Sequence, residues 1–181
     1  MKQLIIVLLL LGYFGSSAQA AEGDRGYAGI FYSEVDSSDG GVENGNLGLV
    51  VGGSMKSGAG IEFFYSDTVD KDTFEATGFP DIRYSTQVWG LLGTYRFGTT
   101  VYAMLKAGYT FVDVRADIAG EPNEKFDEDG LSYGVGFGVE VGKSGAVELN
   151  YLVLPDIELS SGSENFDVGS EQISLGYNWY F

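Results

Sequence analysis

Cysteine and histidine are both absent from the 181 residues, proline occurs three times, and 10 basic side chains stand against 26 acidic ones. Without cysteine the fold must do without disulfides, and no thiolate site exists. Without histidine there is no ordinary zinc ligand and no imidazole to act as general base. The remaining carboxylates crowd into polar stretches that lack the desolvation by which catalytic acids are tuned. No enzymatic activity and no cofactor are therefore expected. The acidic excess also excludes nucleic acid, whose phosphates are neutralised by Lys and Arg. Past residue 20 no segment has helical periodicity, and none is an apolar run of the roughly 20 residues a helical membrane span requires.

The first 20 residues read as an export signal. Lys2 gives a basic start, Leu4 to Phe14 an apolar stretch of about eleven residues, and Ala18-Gln19-Ala20 a small-residue cleavage pattern. That stretch is too short to span as a helix, and no lipid-acceptor cysteine follows it. Residues 1–20 are expected to be cleaved, leaving residues 21–181 as one domain. With Lys2 removed, nine basic and 26 acidic side chains remain, a net charge of −17. Aromatics at 14% and 28 glycines argue for order despite that charge.

What fills the chain is alternation of period two. Eight segments show it, near 26–34, 46–54, 59–66, 86–97, 100–114, 131–142, 146–154 and 171–181. In 131–142 Tyr133, Val135, Phe137, Val139 and Val141 share one strand face, and Ser132, Gly134, Gly136, Gly138 and Glu140 the other. Ile61, Phe63 and Tyr65 likewise oppose Gly60, Glu62 and Phe64. The mid-strand charges Glu62, Lys106, Glu140 and Glu148 all fall opposite the large apolar faces. A soluble barrel turns its apolar face inward; here the small and polar face suits a narrow interior and the apolar face suits lipid.

Joins between segments alternate strictly between short (55–58, 98–99, 143–145) and long polar ones (35–45, 67–85, 115–130, 155–170). That order predicts an all-β, eight-stranded antiparallel up-and-down transmembrane β-barrel, with short turns and both termini periplasmic and long loops at the cell surface. Tyr32, Tyr65, Tyr109 and Tyr151 would mark the loop-side membrane interface; Tyr95, Phe97, Trp179 and Phe181 would mark the turn side.

With strand count, loop rhythm and the terminal Tyr177-Asn178-Trp179-Tyr180-Phe181 together, the chain resembles the small eight-stranded outer-membrane barrels of Gram-negative bacteria. That group includes the OmpA transmembrane domain, OmpX and the opacity-type surface antigens of the porin family. The resemblance implies integral placement in the outer membrane. It also implies that Phe181, with Trp179 and Tyr177, is the signal read by the barrel-assembly machinery. The peptidoglycan-binding domain that follows the barrel in some members is expected to be missing.

The loops, with Glu34, Asp113 and Glu171 at their edges, carry 21 of the 26 acidic residues and four basic ones, Lys71, Arg83, Arg115 and Lys125. Solvated, charge-solubilised loops account for this. Clustered carboxylates could also share Ca²⁺ or Mg²⁺ with lipopolysaccharide phosphates, the densest candidates being Asp127-Glu128-Asp129 and Asp70 with Asp72. Neither has the full calcium-loop spacing. Inside the barrel Glu62, Glu140 and Glu148 fall within reach of Lys106, and of Arg96 if it also points inward. Enclosed charges require partners, so an ion-pair plug is expected in preference to a gate. Two roles follow: a structural or surface-recognition protein of the cell envelope, including adhesion to an unknown extracellular partner, or a narrow porin-like channel for small solutes.

Overall fold

Alternation becomes ladder pairing in eight long strands: β1 (Arg25–Ser37), β2 (Glu43–Ser54), β3 (Ala59–Asp70), β4 (Ile82–Gly98), β5 (Val101–Ile118), β6 (Glu124–Glu140), β7 (Gly145–Val153) and β8 (Ser170–Tyr180). The structure, a computed structural model, describes residues 24–37, 43–70, 73–74, 82–118, 124–161 and 164–181; the expected signal segment 1–20 lies outside them. Each strand pairs antiparallel with its sequence neighbour, and β1 pairs with β8 from Tyr27↔Tyr180 to Ser37↔Ser170. The sheet is therefore closed, an up-and-down barrel without a free edge along its staves. Phe181 completes the seam, its N–H donating to the Gly26 carbonyl at 3.0 Å while its own carbonyl accepts from the Gly26 N–H at 3.2 Å.

At one end tight turns join β2 to β3, β4 to β5 and β6 to β7. Gly58 and Gly98 take φ of +90° and +100° there, a conformation that side chains with a Cβ rarely adopt. At the other end the ladders run on beyond the apolar band. β4, β5 and β6 hold 17, 18 and 17 residues, so much of the acidic stretch expected as the loop 115–130 is strand, paired as far as Ala116↔Glu124. The expected loop 155–170 likewise contains a two-stranded hairpin, Ile157–Ser161 with Glu164–Val168. In the β5–β6 extension the outward face turns charged while Val112, Val114 and Phe126 still face inward, so the lipid-facing row ends but the ladder, which in water needs only its backbone partners, goes on.

Outward-facing side chains form an apolar wall. Ile30, Leu49, Ile61, Leu91, Leu105, Val135, Phe137, Leu149 and Leu175 are all exposed, far more contiguous apolar surface than a soluble monomer carries. Lipid is the solvent that such a wall matches.

The interior departs from the expectation of a small, polar lining. Phe31, Val35, Phe64, Val88, Leu92, Val112, Leu152 and Leu154 meet inside as an apolar cluster, with Val50, Val114 and Phe126 packed against it. Phe31 and Phe64 contact at a centroid distance of 6.4 Å. Glycine makes room for these side chains: a Cβ on Gly48 would lie 2.2 Å from the Phe31 ring, and one on Gly138 equally close to the Tyr102 ring. Tyr102 cannot swing clear, because its hydroxyl is held by Glu148. Gly138→Val should therefore lower the unfolding free energy in detergent by about 1–3 kcal/mol or more. Gly93→Ala, on the lipid side with its nearest neighbour 3.6 Å away, should stay within about 0.5 kcal/mol of wild type. Urea titration followed by tryptophan fluorescence checks both.

Candidate functional site

Strand parity carries one charged set into the turn-end half of the lumen. Glu62 on β3 and Lys106 on β5 form an ion pair of 2.8 Å, with side chains only 4% and 5% exposed. The second carboxylate oxygen of Glu62 accepts the Tyr27 hydroxyl at 2.9 Å. Glu148 on β7 accepts the Tyr102 hydroxyl at 2.5 Å and a hydrogen bond from the Asn178 side chain.

Closer to the turns lies a second group. Glu140 receives Arg96 and Arg25, each at 2.7 Å. The Arg96 guanidinium lies 3.5 Å from the Tyr102 ring centroid and also donates to the Thr99 carbonyl at 2.5 Å and the Tyr180 hydroxyl at 3.3 Å. Arg25 lies over the Tyr180 ring at 5.2 Å. Glu62, Arg96, Lys106, Glu140 and Glu148 thus all face inward. They resolve into a Glu62–Lys106 pair, an Arg25–Glu140–Arg96 clamp, and a Glu148 held by neutral donors. Sequence reasoning missed Arg25, Tyr27, Tyr102, Asn178 and Tyr180; the signal available was parity, since each lies on the face opposite its strand's lipid-facing residues.

Toward the loop end from the charges, the apolar cluster is interleaved with polar contacts. Gln172 donates to Ser33 Oγ at 2.9 Å, the Thr110 and Ser132 hydroxyls meet at 2.5 Å, and Asn44 and Asn46 donate to Thr86 at 3.0 and 3.1 Å. A cavity of about 40 Å³ remains between the ion layer and the apolar layer, lined among others by Glu62, Lys106, Phe64, Leu92 and Asn150. That is room for a few water molecules. Leu92 at its wall and Val88 beyond it are 1% and 0% exposed, so the lumen is filled there.

On the outer wall, tyrosines at the loop-side edge of the apolar band hydrogen-bond to carboxylates: Tyr65 to Asp67 at 3.3 Å, and Tyr109 to Asp129. Of the cation-site candidates, Asp127 and Asp129 face outward on β6 while Glu128, one residue between them, faces inward beside Phe126 and Gly130. Consecutive strand residues alternate sides, so the three carboxylates do not converge on one point. Asp70 ends β3, exposed, and Asp72 lies outside the described residues. Among the described residues no group of three or more metal-ligating side chains forms. Asp127 is instead held below its usual carboxylate range by the hydrogen bond from Lys125, and Lys125 is raised by the same contact.

At the terminus Tyr177 and Trp179 point to the lipid side with rings edge to face at 4.9 Å, and Phe181 follows on the same face.

A closed antiparallel barrel with an apolar outer wall and a filled lumen defines an integral membrane β-barrel. The sequence pattern of the family "Outer membrane protein beta-barrel domain" matches residues 6–181, and the chain belongs to that family. No protein of curated function matches it in sequence. Among solved structures it is similar to Neisserial surface protein A (NspA), at 16% identity over 90% of this chain and 100% of that one, TM-score 0.61. It is also similar to OprG of Pseudomonas aeruginosa, at 15% identity over 88% of this chain and 96% of that one, TM-score 0.59. Ail, the attachment invasion locus protein of Yersinia pestis, shares 17% identity over 88% of this chain and 99% of its own, TM-score 0.55. At such identities the likeness is one of fold.

Lys106→Met would strand the Glu62 carboxylate in the lumen with Tyr27 alone, a change expected to cost about 3–5 kcal/mol. Adding Glu62→Gln should restore most of the loss, because the uncompensated charge goes with it. Urea unfolding of the two variants in detergent measures the difference. Equal stability of single and double variants would mean that the pair is not enclosed in the folded protein.

Proposed function

We propose that the protein is an outer-membrane scaffold that displays an acidic face to the cell exterior, in a structural or surface-recognition role that includes adhesion. The carrying observation is the filled lumen: with Phe31, Phe64, Leu92 and Leu152 packed across the interior, the outer surfaces are what is left to do work. On this reading residues 1–20 are removed on export, the turn end and both termini are periplasmic, and the loop end is extracellular. Phe181, with Tyr177 and Trp179, presents the closing strand to the barrel-assembly machinery.

The outward carboxylates Glu34, Asp36, Asp67, Asp113, Asp127, Asp129 and Glu171 would face lipopolysaccharide, with Ca²⁺ or Mg²⁺ shared between them and its phosphates. The extracellular partner is a cationic surface. Ail is known in complex with a heparin analogue, sucrose octasulfate. A chain with 26 acidic and 10 basic residues is a poor match for such a polyanion. The competing reading, a narrow channel, needs a continuous wet path, and the apolar layer counts against it.

Because the chain lacks cysteine, a single introduced thiol is a unique label site. Asp36→Cys at the loop end should react with an impermeant maleimide on intact cells, and Ser57→Cys at the turn end only after lysis. The reverse pattern would overturn the orientation. Purified protein should bind polylysine in preference to heparin, with affinity falling as salt rises. Stable unitary conductance in planar bilayers would sink the scaffold reading in favour of the channel.

A further inference from the structure

The turn end of the barrel treats its eight strands unequally. Six are joined there in pairs by tight turns, β2 to β3, β4 to β5 and β6 to β7, whereas β1 and β8 meet from distant parts of the chain with no turn between them. The seam is also thin at that end. Gly26 and Ala28 give β1 little side chain on the lipid side, and the Phe181 ring lies so close over Gly26 that a Cβ there would approach it to 2.6 Å.

Side chains and turns meet at this point. The Lys56 N–H donates to an Asp24 carboxylate oxygen at 2.9 Å, which ties the start of β1 to the β2–β3 turn. The Tyr180 N–H donates to the Ser144 carbonyl at 2.9 Å, which ties the end of β8 to the β6–β7 turn. Each of these holds one side of the seam to its own neighbour. Arg25 does something different: its contact with the Tyr180 ring and its ion pair with Glu140 reach from β1 over β8 and β7 to β6. Of the ion pairs among the described residues, it is the one that spans the seam.

Neutralising Glu140 does not require Arg25. Arg96 already donates to the same Oε1 atom at 2.7 Å, and its side chain is the more enclosed of the two, 15% exposed against 45%. A second guanidinium on one carboxylate oxygen adds repulsion between cations. What Arg25 adds, and Arg96 lacks, is the span across the seam. A contact between residues 115 apart forms only once β1 lies beside β8, whereas every other ladder joins strands that are neighbours in sequence. We infer that Arg25 is a latch on the β1–β8 seam, and that the barrel unfolds by parting β1 from β8 from the turn end, at a rate that Arg25 sets.

The test uses the full mature barrel refolded in detergent, with tryptophan fluorescence following its unfolding in concentrated urea. Arg25→Ala should unfold about three- to tenfold faster than wild type and refold at the same rate, as expected for a contact absent from the transition state. Amide hydrogen exchange should rise for residues 26–31 and stay unchanged in β4, β5 and β6. A clip across the seam should remove the effect. The two bonds between Gly26 and Phe181 make Ser33 and Ser174, directly opposed and buried further along the seam, a non-hydrogen-bonded pair with Cα atoms about 4.5 Å apart, within reach of a disulfide. In the oxidised Ser33→Cys/Ser174→Cys barrel, adding Arg25→Ala should change the unfolding rate less than about twofold, and reduction should restore the full effect.

An unfolding rate unmoved by Arg25→Ala, slower refolding with unfolding unchanged, or an acceleration that persists undiminished in the oxidised clip would each overturn the latch. So would hydrogen exchange that rises evenly around the barrel, a result readable even where the clipped protein fails to refold. Glu140 keeps Arg96 in every variant, so an orphaned carboxylate is not the source of the change. The outcome is independent of which way the barrel faces in the membrane.

Discussion

Backbone hydrogen bonding in a solvent that offers none is the constraint from which the rest of this barrel follows. Each unpaired N–H or C=O in the hydrocarbon layer costs several kcal/mol, so a sheet can cross only if its first and last strands meet. Here the meeting is β1 with β8, eleven residue pairs deep, extended at the turn end by the two bonds between Gly26 and Phe181. The contact between Arg25 and Glu140 lies at the same end. Residues separated by most of the chain are therefore brought together at the point where closure must be completed. The N-terminal strand supplies one of the two arginines that hold Glu140.

Closure with eight strands fixes a narrow interior, and that interior then sets its own demands. Every charge carried inward must be answered, as Lys106 answers Glu62 and the two arginines answer Glu140. Glycine on the inner face, at positions such as Gly48 and Gly138, is what lets rings from neighbouring strands lie flat against the wall. The result is a packed core inside a membrane barrel. It is built from the same kinds of contact as the core of a soluble protein, and surrounded by a shell whose outer side prefers lipid.

Parity was legible in the sequence wherever one face was apolar and the other was not. Tyr133 to Val139 against Ser132 to Glu140 required no structure to interpret, and the inward placement of Glu62, Lys106, Glu140 and Glu148 followed. Two things were hidden for physical reasons. Past Phe111 and before Leu131 the polarity inverts, with Val112, Val114 and Phe126 inward and Asp113, Arg115, Lys125, Asp127 and Asp129 outward, so the ladder continues without the lipid-facing apolar row that marks a membrane strand. The apolar lumen was hidden because Phe31, Phe64, Leu92 and Leu152 sit singly among glycines and polar residues on their inward faces. Their convergence is a matter of which strand stands beside which. Arg25 escaped notice because it precedes the first alternating residues, and a side chain at a strand start declares its direction only once the register is known.

Fold similarity to NspA, OprG and Ail at 15–17% identity is what this constraint allows. Very different sequences can alternate large outward residues with small inward ones and close an eight-strand ladder. Residues that merely satisfy closure therefore carry little information about role. Information lies where the chain departs from what closure asks: in a wall that places carboxylates just beyond its aromatic edge and then sets Arg115 against Lys125 one rung further out. Lys125 ties the two bands together through Asp127 and Asp113. Two like charges set directly opposite each other would by themselves weaken the ladder, so the carboxylates of Asp113 and Asp127 beside Lys125 are what make that rung tolerable.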